Sequence, residues 1–198
     1  VLMGGWSAER EVSLRSGAAV VQALKEENYG VSAIDVQRDM GPLLTRLYPR
    51  PDVVFNALHG PFGEDGCVQG LLDILSIPYT HSGVLASALA MNKVMAKKLF
   101  ANAGIKTPSH SVILTEDKIT DEVMPRPYVL KPVNEGSSVG VYIVREGDNF
   151  PRLDGFGQQF GKKMMVETFI DGCELTVSVM GDRPLAVTEI LTKQEFYD

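Results

Sequence analysis

Apolar and polar positions follow two different rules along this chain. From residue 1 to about residue 90, short apolar runs alternate with stretches of helical period. Val1-Leu2-Met3 reads as a strand. It leads into Gly4-Gly5-Trp6-Ser7 and a helical pattern from about Ala8 to Glu26, with Val12, Ala19, Val20, Ala23 and Leu24 on one face. Val31 to Val36 reads as a second strand, and Pro42 to Leu47 as a short helical piece. Asp52 to Leu58 has the continuous apolar run of a buried strand. It ends in His59-Gly60-Pro61-Phe62-Gly63-Glu64-Asp65-Gly66, a loop with three glycines. A helix from about Cys67 to Leu75 and a short strand, Pro78-Tyr79-Thr80, follow. Strands alternating with helices predict a Rossmann-like parallel sheet with right-handed crossovers. Gly4 to Ser7 and His59 to Gly66 both follow strands, so both are expected at one sheet edge, where such sheets bind ligands.

Ser82-Gly83-Val84 marks a change. Ala86 to Ala90 reads as a small-residue helix, and Asn92 can N-cap a further one over Lys93 to Asn102. Met91, Met95, Leu99 and Ala103 recur every four residues, which places them on its buried side. Gly104 and Pro108 end the helical pattern. Beyond Pro108 the pattern is strand-like: Ser111 to Leu114, Tyr128 to Lys131, Val139 to Val144, Met164 to Glu167, Leu175 to Met180 and Leu185 to Ile190. One helix, around Asn149 to Phe160, interrupts them. This predicts an antiparallel, α+β layout. The expected organisation is α/β over residues 1–90 and α+β beyond, with a domain boundary near residue 90.

Composition narrows the class. The chain has 198 residues and 44% apolar content, enough for a packed core. A net charge of −6 argues against general nucleic-acid binding. No apolar run approaches the length of a membrane span. Cys67 and Cys173 are far apart and without companions at metal spacing, which predicts two small core residues in a reducing, cytoplasmic setting. There is no start methionine or signal peptide. The reading is of a chain that begins inside its first strand and stops, after Thr192 to Asp198, with no closing element.

The chemistry concentrates in Lys131-Pro132-Val133-Asn134-Glu135-Gly136-Ser137-Ser138-Val139-Gly140. A Gly/Ser loop between two strands can fold backbone N–H groups and hydroxyls around an anion. Lys131 at its mouth adds a full positive charge, as a nucleotide triphosphate needs. The bland alternative is a hairpin with a polar turn. Neither a full G-x-G-x-x-G fingerprint nor a Walker A motif occurs. Glu9, Arg10 and Glu11 open the first helix, where acidic residues commonly serve the helix dipole. Lys93 opens another, where the dipole disfavours a cation; such local conflicts tend to mark functional sites. A lone histidine such as His59 is more often structural, but one in a glycine loop at a sheet's carboxyl end invites function.

Five stretches in order then resemble one family. They are Gly4-Gly5-x-Ser7-Ala8-Glu9-Arg10-Glu11-Val12-Ser13-Leu14; His59-Gly60 with Gly63-Glu64-Asp65-Gly66-x-x-Gln69-Gly70; Ile77-Pro78-Tyr79-Thr80; Met91-x-Lys93; and Glu135 to Gly140. On these residues the chain is similar to bacterial D-alanine–D-alanine ligases, of the ATP-grasp superfamily. The resemblance implies ATP-dependent joining of two D-alanines for peptidoglycan precursors. ATP would phosphorylate the first carboxylate, and the second amine would attack the acylphosphate and expel phosphate. By the matched positions Glu9 would hold the first ammonium, with His59 near the same substrate. Ser137 would hydrogen-bond towards Glu9, and Ser138 would contact the transferred phosphate. Lys93 and Lys131 would neutralise the ATP phosphates. Glu167 would face the adenine amino group, with Phe169 and Ile170 along the hinge and Glu174 on the ribose.

Three departures from the family qualify that picture. Asn92 stands where the family often has Asp, and His81 where glycine is usual. The family also has a third domain with an Arg, the ligands for two Mg²⁺ ions (Mn²⁺ can substitute) and a mobile Lys-Tyr loop, which Glu195-Phe196-Tyr197-Asp198 only approaches. No metal ligand is therefore assigned, the ligands being expected beyond the chain's end, and the chain as written is expected to be nearly inactive. The family implies a homodimer, with no nucleic-acid or membrane partner. Two alternatives stay open: a D-alanine–D-lactate ligase, and a non-catalytic nucleotide-binding module. The bland reading of Glu167 and Glu174 is exposed strand carboxylates.

Overall fold

The computed structural model describes residues 1–116, 123–153 and 155–191. The readings placed on Thr192 to Asp198, including the approach to a mobile loop, lie outside the described residues. The chain forms two compact units. One comprises Val1–Ile105 with Val133–Gly136, the other Lys106–Pro132 with Ser137–Asp198.

The first unit is α/β. Strand β1 (Leu2–Gly4) pairs in parallel with β2 (Ile34–Val36). On its other side Leu2 bridges Asn56, and Val54 bridges Tyr79, both in parallel. The apolar run 52–58 is therefore a sheet member through these bridges, with Ala57 N donating to Leu2 O at 2.9 Å, rather than a full strand. Helices α1 (Arg10–Glu26), α2 (Met40–Arg46), α3 (Cys67–Ile74), α4 (Val84–Met91) and α5 (Lys93–Asn102) complete it. The core gathers Leu2, Ile34, Val36, Leu43, Leu58, Val68 and Leu72.

Two helix faces differ from the expectation. The residues α1 buries are Ser13 and Gly17, whereas Val12 is 41% exposed. Helix and strand approach so closely that only small residues fit between them: a Cβ on Gly17 would stand 2.5 Å from Met3 Cβ. In α5 the buried residue is Lys97, while Met95 and Leu99 are exposed. A lysine stem is apolar and packs like an aliphatic chain, which a hydrophobicity pattern does not register. The N-cap is as expected, with Asn92 accepting from Met95 N at 3.1 Å. Both cysteines are exposed rather than in the core. Cys67 opens α3 beside Asp65, and Cys173 lies just before a solvated strand.

The second unit is antiparallel. Its main sheet has the order β3-β6-β4-β5, from β3 (His110–Leu114), β4 (Tyr128–Pro132), β5 (Tyr142–Val144) and β6 (Lys163–Thr168). Tyr128 and Leu130 point into the core with Met164 and Val166, while Val129 and Lys131 take the other face. The short helix α6 (Phe156–Phe160) follows β5. A separate hairpin pairs β7 (Glu174–Met180) with β8 (Arg183–Ile190).

Candidate functional site

In the first unit, the turn after β1 and the loop 59–66 meet at the carboxyl end of the sheet. Ser7 Oγ donates to His59 O at 2.8 Å, so the two glycine-rich loops are tied together. Asn56 Nδ2 and Gln69 Nε2 both donate to Gly63 O, at 2.8 and 2.9 Å, and hold the second loop in place. Arg10 forks onto Asp35 at 2.8 and 2.7 Å and donates to Gly5 O, which anchors the first. The Arg10 guanidinium holds the Asp35 carboxyl below its ordinary value.

Glu9 sits at the N-cap of α1, yet its side chain does not cap the helix. It is instead buried, with 6% exposure. Its carboxylate lies against two glycines: a Cβ on Gly60 would come within 2.5 Å of Glu9 Oε2, and one on Gly136 within 2.8 Å. The absence of side chains there lets backbone from two loops close on one carboxylate. His59 is half-buried, its Nε2 3.3 Å from Ser16 Oγ and its Nδ1 3.9 Å from Glu64 Oε1. Glu64 Oε2 also accepts from Gly60 N at 2.7 Å.

Lys93 opens α5, and its ammonium donates to the backbone carbonyl of Glu135. Its own N–H donates to Val133 O at 3.1 Å. The stretch Val133–Gly136 thus belongs to the first unit, although it interrupts the second in sequence. Burial, then the Glu9 carboxylate, push the Glu135 carboxyl above its ordinary value, against a smaller pull from Lys93. Glu64, Lys93, Glu135 and Gly136 line one open cleft of about 510 Å³, with Ser82 and Ser87. Glu64 and Glu135 carry no role in the sequence reading. Both lie inside glycine loops, which was the available signal.

In the second unit, the β4–β6 register sets Val129 opposite Glu167 and Lys131 opposite Met165. That diagonal lets the Lys131 ammonium donate to Glu167 Oε1 as an ion pair. Glu167 is 9% exposed, so it is not a solvated strand carboxylate. After β6, Phe169 N donates to Pro127 O at 3.2 Å, and Arg145 lies 5.3 Å over the Phe169 ring. Ile170 is exposed. Glu174 is solvated at the start of the separate β7–β8 sheet, opposite Ile190. Ser137 is exposed with φ +46°; Ser138 O accepts from Val141 N at 3.3 Å. Glu9, His59 and Lys93 therefore belong to one unit, and Lys131, Ser137, Ser138, Glu167, Phe169, Ile170 and Glu174 to the other. Among the described residues no group of three or more His, Cys, Asp or Glu could hold a metal ion.

The family model for the D-ala D-ala ligase C-terminus matches residues 99–198, and that for the D-ala D-ala ligase N-terminus matches 44–82. A D-alanine–D-alanine ligase of Paramagnetospirillum magneticum is 54% identical over 199 residues, covering 100% of this chain and 65% of that protein. One from Acidiphilium cryptum is 53% identical with the same coverage. A crystal structure of the Bacillus anthracis ligase superposes with TM-score 0.78 at 34% identity, over 100% of this chain and 65% of that one. Its ATP complex gives 0.76 at 29% identity, over 98% of this chain and 66% of that one. The chain thus spans about 65% of the length of these relatives. With both family models matched in order along a fold shared with those crystal structures, the chain belongs to the D-alanine–D-alanine ligase family.

Proposed function

We propose that the protein joins two D-alanines at the expense of ATP, through an acylphosphate, to supply peptidoglycan precursors in the cytoplasm. The observation that carries this reading is the buried Glu9 carboxylate, enclosed by two glycine loops. A buried acid suits an ammonium ligand, because a cation offsets the desolvation of its charge. Glu9 binds the first D-alanine's amine, with His59 beside it. Lys93 and Lys131 neutralise the ATP phosphates, and Ser138 meets the one transferred. Glu167 accepts from the adenine amino group, Phe169 and Ile170 border the base, and Glu174 accepts from the ribose. The ion pair of Lys131 with Glu167 supports this assignment, since it presents a cation and an acceptor together on one sheet face.

In this reading residues 1–90 form the substrate domain, residues 91–170 a central nucleotide-holding subdomain, and residues 171–198 the start of the next. The protein acts as a homodimer without nucleic-acid or membrane partners. Among the described residues no helix is long and apolar enough to cross a membrane. The described residues do not fit a resident Mg²⁺ or Mn²⁺, so the ion's ligands are assigned outside them.

The test is ATP-dependent phosphate release with D-alanine, measured on the full gene product and on the 198-residue chain. Release is expected from the first and close to none from the second; release from neither overturns the ligase reading. Lys131→Ala is expected to weaken nucleotide binding, and Glu9→Gln chiefly D-alanine binding, each by about tenfold or more. Equal loss of both ligands in both variants, with folding checked by circular dichroism, contradicts the division of roles. D-lactate replacing D-alanine as the preferred second substrate would favour the depsipeptide-forming alternative.

A further inference from the structure

Lys93 holds the stretch Val133–Gly136 twice. Its N–H donates to Val133 O at 3.1 Å, and its ammonium donates to Glu135 O. The main chain of Glu135 is therefore fixed within the first unit. The residue is half-buried and lines the cleft it shares with Glu64, His81 and Lys93. The next residue, Gly136, lies against the Glu9 carboxylate: a Cβ there would stand 2.8 Å from Oε2 and 3.4 Å from Oε1. Two acids thus stand close together, and only Glu9 has a role in the reading above.

The two carboxyls feel one another. Burial, and then repulsion from Glu9, raise the Glu135 carboxyl above its ordinary value, against a smaller pull from Lys93. A cation placed on Glu9 offsets that repulsion and favours the ionised form of Glu135. The coupling is reciprocal, so an ionised Glu135 favours the cation by the same factor. A neutral hydroxyl in the same place gains nothing from it. The second acid is therefore a filter on charge, even where it makes no contact with the occupant.

We propose that Glu135 is a specificity-determining residue of the amine pocket, selecting, through its charge beside Glu9, a first substrate with an ammonium over one with a hydroxyl at the same place. The inference rests on the reading of Glu9 as the ligand of the first D-alanine's amine. It adds to that reading a second acid, held in place by Lys93.

The experiment measures binding of D-alanine and of D-lactate, which carry an ammonium and a hydroxyl at the same carbon, to the full gene product by calorimetry. Parent, Glu135→Gln and Glu135→Asp are compared at the tighter D-alanine site. Glu135→Gln is expected to weaken D-alanine by about fivefold and to leave D-lactate within about twofold. Glu135→Asp should keep most of the preference, because it keeps the charge. The pH profile is a second readout: D-alanine affinity should rise from about pH 5 to about pH 7 more steeply in the parent than in Glu135→Gln, as the Glu135 carboxyl gives up its proton. Glu9, Glu64, His59, His81 and Lys93 surround the same place and are common to both proteins, so the difference belongs to Glu135. Equal weakening of both ligands, an unchanged preference, parallel pH profiles, or a Glu135→Asp variant that behaves as Glu135→Gln would each overturn the proposal. A parent that binds no D-alanine, or a Glu9→Gln variant that binds it as well as the parent, overturns the reading beneath and the inference with it. Should D-lactate bind too weakly to measure, the pH profiles decide. Cooperative thermal unfolding establishes that each variant is folded, and Glu135→Ala replaces Glu135→Gln should that variant fail to fold.

Discussion

His81 holds φ at +98°, beyond the left-handed region that non-glycine residues tolerate. The family to which the chain is similar usually has glycine there, and the backbone explains why. A strained non-glycine residue costs about 1–3 kcal/mol, whereas the added freedom of glycine in the unfolded chain costs about 0.4–1 kcal/mol. His81→Gly is therefore expected to stabilise by about 1 kcal/mol, read as a higher urea midpoint with unchanged slope. Glu135 makes a second prediction at this scale. Its folded-state pKa stands above the ordinary 4.5. Its contribution to stability is therefore fully present below pH 4.5 and is lost as pH rises through the folded-state value. Glu135→Gln should remove that loss, so the variant's advantage over the parent should grow from pH 4 towards neutrality in urea titrations. A flat difference would show that the carboxyl titrates as in the unfolded chain. Asp35 has the opposite sign: Arg10 lowers its pKa, and its contribution disappears as pH falls below 3.8 through the folded value. Glu9 was legible in the sequence as the acid of a glycine-rich turn. That it is buried and leaves the helix uncapped was not, because both depend on Gly60 and Gly136, which are distant in sequence.

The contact of α1 with β1 shows how an element's position is chosen by its smallest residues. Ser13 Oγ accepts from Gly4 N at 2.9 Å and donates to Ala57 O at 2.6 Å, joining the helix to two sheet members. Gly17, one turn on, lies over Met3. Alanine is worth about 1 kcal/mol more than glycine inside a helix, but overpacking costs about 1–3 kcal/mol. Gly17→Ala is expected to destabilise by about 1–2 kcal/mol because the helix cannot retreat without breaking the Ser13 bonds. Ala18→Gly on the exposed side should cost about 1 kcal/mol by propensity alone. A stabilised Gly17→Ala variant in thermal melts would show that the helix shifts freely. The helix and nearly its ends are legible in the sequence, since period is a local property. Its buried face is not, since serine and glycine count as polar or neutral in a hydrophobic pattern while their small size is what close packing selects.

The 198-residue chain carries apolar surface that its charge must offset. In the β7–β8 hairpin, Leu175, Val179, Met180 and Val187 are each at least 60% exposed, and Val177 pairs with Val187. A two-stranded sheet with an open apolar face is marginal by itself and prone to edge-to-edge or face-to-face association. The net charge of −6 opposes association but is screened by salt. The 198-residue chain is therefore expected to scatter more light with rising concentration, increasingly at high salt. Val179→Lys with Val187→Lys should suppress this. Scattering unchanged by that double variant would place the self-associating surface elsewhere.

The amino-acid order alone determined most of the succession of elements, the change from parallel α/β to antiparallel pairing, and the glycine loops that carry the acids. These depend on periodicity, turn chemistry and short motifs, all properties of neighbouring residues. Tertiary structure alone decided that Lys97 is buried and both cysteines exposed, and that Lys131 meets Glu167 across the β4–β6 register. Burial and pairing are set by what arrives from elsewhere in the chain, and no local pattern encodes that arrival.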